Sequence, residues 1–391
     1  MKRYQGYLLA FASLLVLGCA ESPFQPYSNS GDCSFDSVRF EADFQTARLS
    51  ACRQVGNEYQ LLIEPESNPA HHSPWYAFSV QSDHQQKIVI KLVYADKKHR
   101  YSPKISNDKH HWTQLDNSSI SVKNDGQTVR MVLEVGSKPL YVAAQEIFDN
   151  DNYEQWESIL ANKPYVNRSV IGLTEQGRPV TKLETQTSDS NDYLVLVGRQ
   201  HPPEVTGALA MFHFVNTILS DSDLAVQFRK HINLLIVPNM NPDGVALGYW
   251  RKNTNGVDLN RDWGPFEQAE TRLIRDELNR FQGDENIRFF LDFHSTSEDI
   301  FYTMSEGLPG NPSVQIDSWL NAIARRMPDY TVRRRASYKP DSYISKNYIY
   351  KTFEAPAVTY EMGDNTSRVL IARQATVAAE EMMKLLLKQP Q

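Results

Sequence analysis

The hydrophobic and polar positions follow two different rhythms along the chain. Between about residues 34 and 147 the apolar residues mostly alternate with polar ones, which is the period of a β-strand. Turn residues such as those at 124–126 separate the strand-like runs, which cover residues 60–63, 75–80, 87–94 and 128–135. Short strands between turns predict a β-sandwich for this part of the chain.

After residues 149–152 the pattern changes. Strand-like apolar runs at 193–197, 232–237, 287–293 and 358–360 alternate with segments of helical spacing at 204–219, 267–281, 314–327 and 366–387. This alternation predicts an α/β fold, with a mixed, largely parallel sheet and helices on both faces. Ligands of such folds bind at the carboxyl ends of the strands, so the residues that follow each strand are the candidates for chemistry.

The N-terminus has the pattern of an export signal. Lys2 and Arg3 precede an apolar run at 7–17, which is too short to span a bilayer and is typical of a signal peptide. The run ends in Val-Leu-Gly-Cys, which resembles a bacterial lipobox with Cys19 as the lipidated residue. We expect a signal peptide at 1–18 and a lipid-anchored protein of the bacterial cell envelope, on the periplasmic side and at the outer membrane. An ordinary secretory signal is the alternative.

Length, charge and cysteine content narrow the classes of protein. A chain of 391 residues predicts more than one domain, which we place at 34–150 (sandwich) and 151–391 (catalytic), after a tether at 19–33. A net charge of −6 argues against nucleic-acid binding. If Cys19 carries lipid, Cys33 and Cys52 remain as a possible disulfide pair, with two free thiols as the alternative. The sequence predicts no oligomeric state.

Candidate metal ligands follow two of the predicted strands. His201 and Glu204 stand three residues apart in the turn after strand 193–197, and His294 ends strand 287–293. Neutral imidazole and carboxylate oxygen are good zinc ligands, and three such ligands with an open fourth position are typical of a catalytic zinc site.

Four further motifs lie between or after the candidate metal ligands in the sequence. They are Asn-Pro-Asp-Gly at 241–244, Trp-Arg-Lys at 250–252, Val-Asp-x-Asn-Arg at 257–261 and Thr-x-Glu at 359–361. With the His-x-x-Glu turn and the strand-end His, this set resembles the zinc metallocarboxypeptidases of the carboxypeptidase A type over 153–387. The resemblance implies their fold, one Zn²⁺ per chain, and a peptide substrate with a free C-terminal carboxylate.

The resemblance also assigns the residues that surround the metal. It implies that His201, Glu204 and His294 are the zinc ligands. Asp258 matches the carboxylate that fixes the tautomer of the first histidine ligand.

The same resemblance assigns the residues that meet the substrate. Arg251 matches the cation that stabilises the oxyanion of the scissile carbonyl. Asn260 and Arg261 match the clamp on the terminal carboxylate, which suits the planar fork of an arginine. Glu361 matches the general base that takes the proton of the attacking water.

Two family positions depend on how the chain is aligned. The mobile tyrosine of the family lies about 22 residues before the base, where Tyr338 and Tyr343 flank the counted position, and we favour Tyr338. The floor of the specificity pocket lies about 15 residues before Glu361, which gives Lys346, whereas a gap of one residue gives Ser345 or Asn347. A lysine there predicts a preference for acidic C-terminal residues. Pro203 replaces an auxiliary arginine of the digestive members.

The sandwich carries a resemblance of its own. Residues 74–78 and 101–105 resemble the β-sandwich domain that precedes the catalytic domain in the cytosolic carboxypeptidase subgroup. The leading function is therefore exopeptidase hydrolysis at a free C-terminus. The alternatives are hydrolysis of peptidoglycan stem peptides as an amidase or carboxypeptidase, and a non-catalytic, zinc-binding envelope lipoprotein that acts as a binding module.

Overall fold

The computed structural model describes residues 28–29, 33–66, 73–95, 98–186 and 190–388. The expected signal peptide, the expected lipidation site Cys19 and most of the expected tether lie outside these residues. Within the described parts of the chain, no helix is both long enough and apolar enough to cross a bilayer.

The N-terminal part forms two six-stranded sheets. In chain order its strands are β1 (Ser28–Asn29), β2 (Ser34–Phe35), β3 (Val38–Glu41), β4 (Ala51–Val55), β5 (Glu58–Ile63), β6 (Ala77–Ser82), β7 (Gln86–Tyr94), β8 (Lys104–Ser106), β9 (Thr113–Gln114), β10 (Ile120–Lys123), β11 (Thr128–Val135) and β12 (Leu140–Ala143). The sheets have the orders β1-β4-β5-β7-β11-β10 and β2-β3-β6-β12-β8-β9. In β7 every second residue from Ile88 to Tyr94 is buried, so the alternation in the sequence marks the face that packs on the core. The predicted sandwich is confirmed.

A disulfide links the two sheets of the sandwich. Cys33, directly before β2, is bonded to Cys52 in β4, and both residues are buried. The bond closes a sequence separation of 19 residues. In the chain-entropy model a loop of this size stabilises the fold by about 3 kcal/mol, because the unfolded chain is restricted.

The second part is built on one eight-stranded sheet. In chain order its elements are α1 (Asn150–Ala161), β13 (Val166–Leu173), β14 (Pro179–Thr185), β15 (Asp192–Gly198), α2 (Val205–Ile218), α3 (Asp223–Arg229), β16 (Asn233–Val237), α4 (Pro242–Ala246), α5 (Ala269–Leu278), β17 (Asn286–Thr296), β18 (Ile300–Thr303), α6 (Pro312–Arg326), β19 (Arg334–Ala336), α7 (Ser345–Phe353), β20 (Ala357–Gly363) and α8 (Arg368–Leu387). The strand order is β13-β14-β16-β15-β17-β20-β18-β19. Every residue of β15 and β16 is buried, so both faces of the sheet are covered, as predicted for an α/β fold.

The parallel strands place the candidate residues at one edge of this sheet. β15, β17 and β20 are parallel neighbours. His294 lies directly opposite Glu361 in the register of β17 and β20, and Gly198, where β15 ends, lies opposite Phe293. The turn after β15 therefore meets the ends of β17 and β20.

The sandwich packs directly against the catalytic sheet and its loops. The backbone nitrogen of Thr46 donates to the carbonyl of Ala246 over 3.0 Å, and Gln145 Nε2 donates to the carbonyl of Asp364 over 2.9 Å. At Gly248, which has φ +62°, a Cβ atom would lie 2.5 Å from the Thr46 carbonyl oxygen, so only glycine permits this approach. Residues of the sandwich can therefore reach the edge of the sheet that carries the candidate site.

Candidate active site

A buried arginine holds the turn that follows β15. Arg199 has a left-handed backbone (φ +54°), and its side chain is buried. Its Nε donates to the Pro202 carbonyl over 2.7 Å, and its Nη1 donates to the Tyr153 hydroxyl over 3.1 Å. These bonds fix the turn that carries His201 and Glu204. Sequence reasoning missed Arg199, because its partners are provided by the fold and not by a local motif.

Three side chains converge as the candidate metal site. His201, Glu204 and His294, here called the metal triad, each place one ligand atom within 4.8 Å of the other two. The Nδ1 atoms of the two histidines are 3.2 Å apart, and each lies 2.8 Å from an oxygen of the glutamate. Ligand atoms that bind one zinc ion at about 2.0–2.2 Å in a tetrahedral site are separated by about 3.4 Å. The donor set and its spacing fit a single zinc ion.

A carboxylate supports the first histidine of the triad. Asp258 Oδ1 lies 3.0 Å from His201 Nε2, and Asp258 Oδ2 accepts a hydrogen bond from Arg251 Nε over 2.7 Å. Burial opposes its ionisation, but His201 and Arg251 hold the pKa of Asp258 well below its usual range. A carboxylate at Nε2 keeps the proton there and leaves Nδ1 free to bind a metal. This is the arrangement that the resemblance implied.

A second carboxylate supports the other histidine. Asp292 Oδ2 lies 2.9 Å from His294 Nε2, accepts a hydrogen bond from Gln200 Nε2 over 2.6 Å and also bonds the Ser345 hydroxyl. Asp292 was not predicted from the sequence. A signal was present, because residues two apart on a strand project to the same face, and Asp292 precedes His294 by two.

Glu361 lies beside the metal triad in β20. Burial is the main cause that raises the pKa of Glu361 to about 7; the His294 imidazole opposes this effect, and the Glu204 carboxylate adds to it. A carboxyl group with a pKa near neutrality can both accept and return a proton. A bound dication would lower this pKa.

The residues expected to contact a substrate line one cavity of about 330 Å³ with the metal triad and Glu361, here called the active-site cavity. Arg251, Asn260 and Arg261 all contribute to its wall. Asn260 Oδ1 accepts a hydrogen bond from the Ser345 nitrogen over 2.9 Å, which fixes the amide. Arg261 is exposed, and its Nη1 donates to the Asn260 carbonyl over 2.6 Å, so the guanidinium lies at the rim of the cavity.

Lys346 also lines the active-site cavity, although it is only 2% exposed. Its ammonium donates to the Ser337 carbonyl and, over 3.1 Å, to Asn347 Oδ1. Burial lowers the pKa of Lys346 to about 8. The two alternatives for the pocket floor point elsewhere: the Ser345 hydroxyl bonds Asp292, and the Asn347 amide donates to the Lys339 carbonyl.

The tyrosine favoured from the sequence does not lie in the cavity. The ring of Tyr338 packs edge-on against Tyr350, with 5.1 Å between the ring centroids. Tyr343 instead packs over Gly264, where a Cβ atom would lie 2.3 Å from its ring. The tyrosine from this sheet that lines the cavity is Tyr302 of β18. Tyr302 was not predicted from the sequence, because the count backwards from Glu361 considered only the tyrosines on either side of position 339.

The comparisons with known proteins agree with this geometry. Residues 153–383 match the model of the zinc carboxypeptidase family, Peptidase_M14. The chain is 23% identical over 345 residues to an uncharacterised protein of Zymomonas mobilis, which covers 83% of this chain and 88% of that protein. It is 24% identical over 301 residues to mouse cytosolic carboxypeptidase 6, which covers 70% of this chain but only 56% of the mouse protein.

Solved structures share the fold. A metallo-carboxypeptidase from Burkholderia cenocepacia superposes with a TM-score of 0.77 at 19% identity and covers 90% of this chain and 99% of that one. A metallo-carboxypeptidase from Pseudomonas aeruginosa, in complex with (2-guanidinoethylmercapto)succinic acid, gives a TM-score of 0.75 at 22% identity and covers 89% and 98%. The family match covers more than half of the chain and contains the metal triad and Glu361. The chain belongs to the zinc carboxypeptidase family.

Proposed function

We propose that this protein is a zinc-dependent carboxypeptidase that hydrolyses the C-terminal bond of peptides. One observation carries the proposal: a metal triad, a buried carboxyl group and two arginines meet in a single cavity. The buried carboxyl group is that of Glu361, and the arginines are Arg251 and Arg261. Hydrolysis of an amide needs these functions together, namely a base, a donor for the oxyanion and a group that positions the substrate.

The residues of the cavity divide the reaction between them. The metal triad would hold Zn²⁺, which when bound supplies Lewis-acid polarisation of oxygen. Glu361 takes a proton from the water that attacks the scissile carbonyl, and returns it to the nitrogen of the leaving amino acid as the C–N bond breaks. Arg251 donates to the carbonyl oxygen, where negative charge develops.

The rim of the cavity supports recognition of a free C-terminus. The terminal guanidinium nitrogens of Arg261 can donate to both oxygens of a carboxylate, and the Asn260 amide can donate one more hydrogen bond. A peptide with an amidated C-terminus offers neither the charge nor the second acceptor. Exopeptidase action is thus favoured over cleavage within a chain.

We propose that the enzyme prefers an acidic C-terminal residue. Lys346 is a buried cation whose protein acceptors, the Ser337 carbonyl and Asn347 Oδ1, are both neutral. Among the described residues, no carboxylate forms an ion pair with it. The carboxylate of a C-terminal Glu or Asp would supply the missing counter-charge, whereas a Lys or Arg side chain would be repelled. Lys346 also lies in the first turn of α7, where the helix dipole favours an anion.

A panel of blocked dipeptides tests the proposed activity. The peptides end in Glu, Phe or Arg, each with a free and an amidated C-terminus, and are assayed before and after removal of metal by a chelator. We expect hydrolysis of the free peptides that chelation abolishes and added Zn²⁺ restores. A folded, zinc-loaded protein that cleaves neither these peptides nor peptidoglycan stem peptides would be the non-catalytic binding protein.

Peptidoglycan stem peptides are a second candidate substrate. The side chain of diaminopimelate carries a carboxylate that could pair with Lys346, beside an ammonium that Lys346 would repel, so the charge argument applies to it less strongly than to Glu. Stem peptides that end in diaminopimelate are therefore compared with peptides that end in Glu. Higher kcat/KM on the stem peptides would assign the enzyme to cell-wall material.

We also propose that lipid on Cys19 anchors the protein in the bacterial envelope. The support is the lipobox-like sequence Val-Leu-Gly-Cys after an apolar run. In a bacterial host, the wild type should fractionate with membranes and incorporate labelled fatty acid, and Cys19→Ser should lose the label. Unlabelled wild-type protein in the soluble fraction would support an ordinary secretory signal.

A further inference from the structure

The sandwich contributes side chains to the active-site cavity. Arg100 and Tyr101, from the segment between β7 and β8, line the cavity together with the metal triad and Trp250. Both belong to the domain whose role the proposed function leaves open.

Arg100 is held in one orientation by groups from both domains. Its Nε donates to Asp364 Oδ2 over 2.7 Å. Its guanidinium lies 5.3 Å from the ring centroid of Tyr101 and 5.7 Å from that of Trp250. The two rings are themselves joined, because Trp250 Nε1 donates to the Tyr101 hydroxyl over 3.1 Å. An arginine fixed by an ion pair and by stacking loses little freedom when it binds a further group.

The terminal nitrogens of this arginine remain available. In the part of the chain that the structure describes, no hydrogen bond is formed by Nη1 or Nη2 of Arg100, and the side chain is 29% exposed. Burial opposes the charge, but Tyr101 and Asp364 raise the pKa of Arg100 above its usual value, so the group stays cationic. A fixed guanidinium with free donors in a cavity wall is a binding group.

We propose that Arg100 is a substrate-binding residue that donates hydrogen bonds to a peptide carbonyl on the amino-terminal side of the scissile bond. The inference rests on the proposed carboxypeptidase activity. Its basis is position: the hydrogen bond and the ring contacts of Arg100 are to Asp364, Tyr101 and Trp250. Lys346 and Asn260, the residues assigned to the C-terminal amino acid, instead form hydrogen bonds with the segment 337–347. The two groups therefore serve different parts of the substrate.

The ion pair decides which kind of acceptor Arg100 binds. Because Asp364 already balances the charge of the guanidinium, a second carboxylate would meet little net positive potential. A neutral carbonyl oxygen gains a charge-assisted hydrogen bond without competing for that charge. Arg100 of the sandwich would thus bind the main chain of the peptide on the amino-terminal side of the cleaved bond, without selecting particular side chains there.

Substrates of different length test this role. In N-acyl-Glu the acyl carbonyl is itself the scissile carbonyl, so no further carbonyl precedes it. In N-acyl-Ala-Ala-Glu two further carbonyls precede the scissile one. We expect Arg100→Ala to lower kcat/KM on the longer substrate by about tenfold or more and on the shorter one by no more than about twofold, since a charge-assisted hydrogen bond contributes a factor of this size. Arg100→Lys keeps the charge but loses the fork, and should fall between the two. Arg130→Ala, in an exposed ion pair of the sandwich, is the matched control and should change neither substrate.

Asp364→Asn separates binding from domain packing. If Arg100 acted only through its ion pair, this variant would reproduce the losses of Arg100→Ala on both substrates and lower the melting temperature equally. We expect Asp364→Asn instead to keep the wild-type ratio of kcat/KM between the long and the short substrate. The reason is that Arg100 still lies against the rings of Tyr101 and Trp250. Equal losses on both substrates in Arg100→Ala, or no loss on either, would overturn the inference.

Binding measurements keep this test independent of turnover. In a Glu361→Gln background, calorimetry gives the Kd of both peptides with Arg100 or Ala at position 100. The longer peptide should lose about tenfold in affinity and the shorter one no more than about twofold. If the wild type cleaves neither peptide but this difference in affinity holds, the proposed activity is wrong and Arg100 is still a peptide-binding residue. If the wild type cleaves both peptides but no difference in affinity is found, the proposed activity stands and the role of Arg100 is wrong.

Discussion

The two ends of the active-site cavity treat buried charge in opposite ways. At the metal end, Asp258 is shared between His201 and Arg251, so that the Asp258 carboxylate and the Arg251 guanidinium balance each other's charge within the protein. At the other end, Lys346 is buried against the Ser337 carbonyl and an amide oxygen, and among the described residues no ion pair reaches it.

This difference distinguishes the groups that the protein alone holds in place from the buried charge that the substrate is expected to neutralise. Mutual pairing at the metal end holds the catalytic groups in place before a substrate arrives. A buried cation without a counter-ion is costly, and that cost falls when a ligand brings an anion. The end with Lys346, here called the unbalanced end, therefore predicts the charge of the preferred substrate. The metal end predicts the reaction, which is hydrolysis.

The largest expected effect comes from removing the base at the metal end. Glu361→Gln cannot accept a proton, so kcat should fall by about 10²–10⁴-fold while zinc content and fold are retained. Steady-state kinetics and metal analysis of the purified variant measure both. A variant that keeps a tenth of the wild-type kcat would show that Glu361 is not the base.

The charge pairing at the metal end can be weakened without touching a ligand. Asp292→Asn removes the carboxylate from His294 Nε2 and should lower zinc affinity by about 10–100-fold. Competition with a chromophoric chelator gives the affinity. Asp276→Asn, which changes an exposed carboxylate on α5, is the control and should leave it unchanged. Equal affinities in all three proteins would contradict a role for Asp292.

The clamp on the terminal carboxylate should have a smaller effect. Arg261→Ala, or an amidated substrate, should raise KM by about tenfold with little change in kcat, because one charge-assisted contact at an exposed rim is lost. Initial rates over a range of substrate concentrations separate the two constants. Equal cleavage of free and amidated peptides would mean that the enzyme is not an exopeptidase.

The unbalanced end should respond to pH. Since burial lowers the pKa of Lys346 to about 8, its ammonium is charged below that pH and is lost as the pH rises through it. The ratio of kcat/KM for peptides ending in Glu and in Gln should therefore be constant between about pH 6 and 7, where the glutamate side chain is ionised, and decline as the pH rises through about 8. Lys346→Arg should extend the plateau to higher pH, because guanidinium keeps its proton. A ratio that does not change with pH would place Lys346 outside substrate recognition.

The smallest effect on catalysis is expected at the disulfide, which lies outside the cavity. Replacing both Cys33 and Cys52 by Ser should lower the free energy of unfolding by about 3 kcal/mol and leave kcat/KM unchanged at low temperature. Denaturant unfolding measures the first quantity and peptide hydrolysis the second. A large loss of activity in the folded variant would mean that the sandwich controls the cavity through its core.

The metal end could be predicted from the sequence, because its residues follow strands whose period is visible. His201 and Glu204 lie in the turn after β15, and His294 lies near the end of β17, and parallel strands bring such ends together. The helices that cover the sheet were also predicted, since α2, α6 and α8 have long amphipathic segments. The edge hairpin of β13 and β14 was not, because β13 is partly exposed on both faces and shows no alternation.

The rest of the cavity is formed by contacts between residues that are far apart in the sequence, and such contacts leave no pattern in the sequence around either residue. Arg100 meets Asp364 across 264 positions, and nothing near either residue indicates that the sandwich packs there. Tyr302 was not predicted as a lining residue of the cavity, because β18, a strand of four residues, was too short to recognise. Counting back from the base gave Lys346, which lines the cavity, whereas the alternatives Ser345 and Asn347 are not among its lining residues.

The most direct test of the account compares two peptides that differ only in the charge of the last side chain. Glu and Gln have nearly the same shape, so the ratio of their kcat/KM values isolates the electrostatic contribution of the cavity. We predict that the wild type favours Glu by about tenfold or more and that Lys346→Met abolishes this preference. Equal rates on the two peptides in the wild type, or a preference for Glu that survives in Lys346→Met, would contradict the account.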